Sequence, residues 1–200
     1  TGPPQPGRLI TLGFDGARFR DSTALVGTDV ERGYQFLLGL WERPTHAKEW
    51  EVPVAEVKQV VANAFDTWDV WRLYADPPYW ETTVDEWAGE YGDRVVAWWT
   101  NRPKPMCYAI RGVVGAMASG DLSHDGSEEL ERHIGNAVRN EIRMVDDEGQ
   151  RLWYIQKDRP DSPRKIDAAM AAVLSWEARG DAVAAGALGT ADYDILFVGG

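Results

Sequence analysis

The stretch GFDGARFRDSTALVG, residues 13–27, reads as a β-hairpin carrying a carboxylate that the turn does not need. The apolar run RLITLGFD ends on Asp15, Gly16 opens a charged turn, and STALVGTDV alternates on the far side. A further run, GYQFLLGL, follows the short turn Glu31-Arg32-Gly33. The chain is therefore expected to open with three sequential antiparallel strands, the first of which stops at an aspartate.

Beyond the hairpin, Val54, Val57, Val61, Ala64 and Phe65 recur at helical spacing and predict a helix over 53–67. VWRLYAD reads as a fourth strand, mostly apolar as a centrally placed strand should be, and Pro77 and Pro78 stop it directly after Asp76. TTVDEWAGEYG reads as a short helix closed by Gly92, and RVVAWW as a fifth strand. Residues 104–119 read as a helix ended by Gly120. SEELERHIGNAVRNEI reads as another helix, with Ser127 as N-cap. RLWYIQK is extended. SPRKIDAAMAAVLSWEARG reads as the last helix, with Ser162 at the N-cap, Pro163 at the first helical position and Gly180 at the end. Its apolar face would be Ile166, Met170, Val173 and Leu174. This order predicts an α/β fold: a mixed central β-sheet with helices packed on both faces.

The composition suits one domain: 200 residues, 44% hydrophobic and 11% aromatic, are enough for a substantial core. The 10 tryptophans are scattered, which favours packing over a base-stacking platform. No run approaches the roughly 18 apolar residues of a membrane span. The single cysteine, Cys107, rules out a disulfide framework within the sequence and suits a reducing, intracellular setting. A net charge of −11 argues against diffuse nucleic-acid binding, although it leaves room for phosphate held through metal ions.

Three aspartates stand out by position. Asp15 ends the first strand, Asp76 ends the fourth, and Asp167 lies in the first turn of the last helix, where the helix dipole favours a carboxylate. Each alone has an ordinary explanation as a turn or helix-start residue. Strand ends at one edge of a sheet can converge with a helix N-terminus beside them, and carboxylates so gathered repel unless a cation sits among them. Oxygen ligands alone select hard ions such as Mg²⁺ or Mn²⁺. Two such ions a few ångström apart serve in-line displacement at phosphorus.

LGFDGARFRDSTALVG, YADPPYW and SPRKIDAAMAAVLSWEA resemble the three acidic motifs of the C-terminal nuclease domain of large terminase subunits, the DNA-packaging motor proteins of tailed phages and prophages. HIGNAVRN, residues 133–140, is similar to the helix that precedes the last motif in many terminases. The resemblance covers nearly the whole chain. It implies an RNase H-like fold, with Asp15, Asp76 and Asp167 as catalytic ligands of two Mg²⁺ or Mn²⁺ ions. The implied activity is endonucleolytic cutting of concatemeric double-stranded DNA in the cytoplasm of the bacterial host. The implied partners are the portal, the small terminase subunit and other motor subunits, with no membrane involved. Residues 1–8 would be a linker from an N-terminal packaging ATPase, 9–180 the nuclease domain and 181–200 a C-terminal tail. No phosphate-binding G-x-x-x-x-G-K-[ST] loop is present, so ATP hydrolysis is not expected of these residues.

Asp21 and His133 are candidates for a supporting shell, the first as an outer ligand or strand cap, the second as a proton-transfer group or a structural histidine. Arg18, Arg20, Lys157, Arg159, Arg164 and Lys165 are candidates for gripping the DNA backbone. Three alternatives compete. One is a non-catalytic docking module of the motor. Another is a Holliday-junction resolvase, which also gathers carboxylates on such a sheet. A third, weaker likeness is to the phosphate-binding hairpin of actin and the sugar kinases, whose second phosphate hairpin and adenosine motif are absent here.

Overall fold

A computed structural model describes residues 2–19, 21–44 and 46–189. The opening meander forms as expected from β1 (Leu9–Gly16), β2 (Thr23–Asp29) and β3 (Tyr34–Trp41), paired antiparallel in sequence order. β4 (Asp69–Ala75) and β5 (Val95–Ala97) add in parallel beyond β1, and the two-residue β6 (Ser123–His124) adds in parallel beyond β3. The sheet order is β5-β4-β1-β2-β3-β6, so β1 and β4 are interior strands.

Alternation along β1 sorts its residues between two layers. Ile10, Leu12 and Phe14 point into a core with α1 (Val54–Thr67) and α2 (Glu81–Tyr91), where Phe14 meets Trp80 and Trp87 edge-on. Thr11, Gly13 and Asp15 therefore face the opposite layer. That layer holds α5 (Asp167–Ala184), flanked by α3 (Pro103–Ser119) and α4 (Glu128–Asn136). The expected mixed sheet with helices on both faces is present.

α5 lies directly on the strands because its inward face is nearly all alanine: Ala168, Ala171, Ala172 and Ala178 are buried. A Cβ on Gly13 would stand 2.0 Å from the Ala171 carbonyl oxygen and 2.4 Å from the Ser175 amide nitrogen. Buried polar bonds seal the contact: Thr11 Oγ1 donates to the Ser175 carbonyl at 2.8 Å, and Gln35 Nε2 donates to the Ala172 carbonyl at 2.8 Å. Most tryptophans pack as expected: Trp41, Trp80, Trp87, Trp98 and Trp176 are buried, and Trp50, Trp68 and Trp153 pack partly buried against the cores, while Trp99 is exposed.

Three expectations need correcting. The helix expected through residue 142 ends at Asn136. Val138–Val145 instead forms β7, antiparallel to β8 (Arg151–Gln156) in a separate two-stranded sheet. The last helix begins at Asp167, not at Pro163: Ser162 turns back on its own loop, its hydroxyl accepting from the Arg164 amide at 3.1 Å. The same helix runs past Gly180 to Ala184, and Asp181 accepts from the Tyr74 hydroxyl at 2.5 Å. The expected C-terminal tail lies, from residue 190 onward, outside the described residues. Near the start, the Pro4 carbonyl and Gly7 amide bond Trp68 and Thr67, so these residues of the expected linker lie against the fold.

Candidate metal centre at the strand ends

The contact between β1 and α5 runs in a fixed register. Thr11 meets Ser175 and Gly13 meets Ala171. Two residues along a strand advance about 6.6 Å and four along a helix about 6 Å, so one more step sets Asp15 opposite Asp167. β4 supplies the third carboxylate. It runs parallel to β1 with Ala75 beside Phe14, and the Asp76 amide donates to the Phe14 carbonyl at 3.0 Å. The buried Pro77 follows at once.

The surroundings of the three carboxylates shift their pKa values upward. Asp15 is pushed well above the usual carboxylate range, first by burial and then by the charges of Asp167 and Asp76. Asp15 and Asp76 interact side chain to side chain, which raises Asp15 further and lowers Asp76. Asp76 is raised by burial against the pull of Thr100, whose amide and hydroxyl donate to its two oxygens at 3.1 and 2.7 Å. Asp167 is pushed up to about 6 by burial, with the Ser22 hydroxyl donating to it at 2.5 Å in opposition and the charge of Asp21 adding to the rise. No three described His, Cys, Asp or Glu side chains stand arranged to share one metal ion. The donor set itself fits a hard divalent cation: oxygen only, largely shielded from water, and raised in pKa chiefly by that burial.

Asp21 behaves differently. Burial pushes its pKa up, yet Lys157 and Lys165, donating at 2.8 and 2.5 Å, bring it below the usual range. Two of the expected phosphate-gripping lysines are thus joined to a carboxylate. Arg159 and Arg164 are exposed, with Arg159 loosely paired to Asp161 at 3.6 Å. The Arg18 guanidinium lies over the Trp80 ring, 5.2 Å from its centroid. Arg20 lies outside the described residues.

His133 is wholly buried and satisfied at both nitrogens. Its Nδ1 accepts from the Ala168 amide at 2.9 Å and its Nε2 donates to Glu42 at 3.1 Å, so the ring is neutral, in keeping with a pKa lowered by burial. Glu42 also receives Arg132. The histidine therefore caps α5 one residue past Asp167. It has no route to a reacting oxygen, which favours the structural role over proton transfer. Ser22, Thr100 and Glu42 were not singled out in the sequence. Thr100 had a signal: it follows a strand parallel to β4, so a polar residue there falls beside Asp76.

No protein-family model matches the chain. Among curated proteins it is 34% identical over 190 residues to the gene 13 protein of Mycobacterium phage L5, and 33% identical over 190 residues to that of Mycobacterium phage D29. In each case 90% of this chain is matched, and the chain spans about 30% of the relative's length. Among solved structures, the large terminase nuclease from thermophilic phage G20c with bound magnesium superposes with a TM-score of 0.59 at 14% identity, covering 86% of this chain and 84% of that one. That nuclease has also been solved with bound cobalt and with bound zinc. The chain has the RNase H-like fold of the nuclease domains of phage large terminases.

Proposed function

We propose that the chain is the nuclease portion of a phage large terminase, a divalent-metal-dependent endonuclease that cuts concatemeric double-stranded DNA during packaging. The observation that carries this is the register of α5 on β1, which sets Asp167 against Asp15 while the β1–β4 pairing sets Asp76 beside Asp15. The magnesium, cobalt and zinc bound by the structurally similar nuclease support it. Asp15, Asp76 and Asp167 would hold two Mg²⁺ or Mn²⁺ ions. Bound there, such ions supply an activated water and neutralise charge on the leaving oxygen. The protein's own contribution is to bury and fix the carboxylates. Thr100 and Ser22 orient Asp76 and Asp167, and His133 holds the start of α5 in place. Residues 9–180 would form the nuclease unit and 1–8 a linker from a packaging ATPase. The whole protein would work in the host cytoplasm with the portal and small terminase subunit. Among the described residues no helix is long and apolar enough to cross a membrane.

Nicking of supercoiled plasmid tests the proposal. Mn²⁺ or Mg²⁺ should convert it to open-circle and linear forms, while EDTA and the Asp167→Asn variant should abolish this. Cleavage that persists undiminished in the variant would place the chemistry elsewhere.

A further inference from the structure

Two exposed aromatic side chains stand just beyond the carboxylates. Phe19 follows Asp15 by four residues and is 55% exposed; Tyr79 follows Asp76 by three and is 65% exposed. Together with Ala17, Arg18 and Asp21 they line one open cavity of about 320 Å³. Among the described residues neither ring has an aromatic partner.

Tyr79 is also the one described residue other than glycine with a left-handed backbone, at φ 67°. Crowding of Cβ against the backbone disfavours that conformation for a bulky residue, and such strain gathers at ligand clamps. Here it follows two prolines and leaves the tyrosine ring in solvent while the next residue, Trp80, is wholly buried. Arg18 completes the cavity. Its Nε is buried without a hydrogen-bond partner, and among the described residues it pairs with no carboxylate.

Aromatic faces beside a guanidinium that rests on Trp80 but pairs with no carboxylate among the described residues match one kind of ligand well. Nucleobases stack on such rings without regard to sequence, and the cation meets the backbone phosphate. A duplex keeps its base faces hidden, so only an unpaired nucleotide can use them. We propose that the cavity of Phe19, Tyr79 and Arg18 binds an unpaired nucleotide of DNA, its base against the aromatic rings and its phosphate toward Arg18. Beside the carboxylates, such a site would favour cutting where the duplex is frayed or opened. That last consequence rests on the nuclease function proposed above; the binding itself does not.

Binding is therefore measured without cleavage, by fluorescence anisotropy in EDTA at low salt. The probe is a labelled oligothymidylate of about 12 nucleotides, with an abasic strand of equal length and a duplex as controls. The thymidylate strand should bind more tightly than either control. Phe19→Ala and Tyr79→Ala should each weaken it by roughly 5- to 150-fold, and Tyr79→Phe should leave it unchanged. Tyr79→Gly is the decisive variant, because glycine accepts the left-handed backbone: it should raise Tm while losing the same affinity. Equal binding of the abasic strand, unchanged affinity in Tyr79→Gly, or no binding of any strand would each overturn the proposal. Plasmid nicking, scored separately, reports on the metal centre alone.

Discussion

Replacing Asp167 by asparagine should stabilise the metal-free protein, and only above about pH 4, where the unfolded chain's carboxyl has lost its proton. Burial lifts this carboxyl from 3.8 to about 6. A folded-state pKa above the unfolded one means that the folded chain binds the proton more tightly. Stability is therefore greatest below about pH 4, falls as the pH rises toward about 6, and stays low above that. Two pKa units correspond to about 3 kcal/mol. Asp167 is half-buried, and solvent on its open side reduces that figure to about 2 kcal/mol. Asparagine keeps an oxygen to accept from Ser22 and carries no charge. For a domain of this size about 2 kcal/mol is about 4–8 °C in Tm. Calorimetry in EDTA should show Asp167→Asn melting higher than the parent by that margin at pH 8 and by about half of it at pH 5. Adding Mn²⁺ should raise the parent's Tm and leave the variant's nearly unmoved. If the variant melts lower than the parent by the same amount at both pH values, burial does not raise the Asp167 carboxyl as described.

Asp21→Asn should release Lys157 and Lys165 for phosphate, tightening duplex binding in EDTA and steepening its salt dependence by about one to two counterions; an unchanged slope would show that the lysines do not reach DNA. His133→Phe keeps a buried planar ring but strands the Ala168 amide, a loss of about 2 kcal/mol in urea denaturation. His133→Asn, whose Oδ1 can replace Nδ1 as acceptor, should lose less. Gly13→Ala should cost at least about 3 kcal/mol by forcing α5 off β1, and a near-neutral result would contradict the packing found there.

The β-rich half was legible because its signals are local. Asp15 and Asp76 sit where an apolar run meets a glycine or a proline pair, and both strands end within a residue of that point. The second half misled for equally local reasons. Ile134, Val138 and Ile142 recur at four-residue intervals and imitate a helix, whereas the decisive signal was the turn Asp146–Gly149, with Gly149 at φ 80° between two alternating segments. Ser162-Pro163 looks like a helix start, but Ser162 is spent within its loop. What no local pattern could reveal was pairing at long range: Asp21 with lysines 136 and 144 residues away, and His133 with Glu42 across 91. Those contacts depend on the sheet already being assembled.

The bare backbone contact at Gly13 has a consequence for how the carboxylate cluster can be controlled. A helix resting on side chains can slide as rotamers change, but α5 rests on main chain, and its 18 residues act as a rod about 27 Å long. The spacing of Asp15 and Asp167 is in effect machined rather than adjustable. A signal from a motor or a partner would have little purchase on it by nudging the helix. On the proposed function, any throttle would instead work through the softer pieces around the rim, the loop that carries Arg18 and Phe19 and the segment that carries Lys157 and Lys165, by admitting DNA or turning it away.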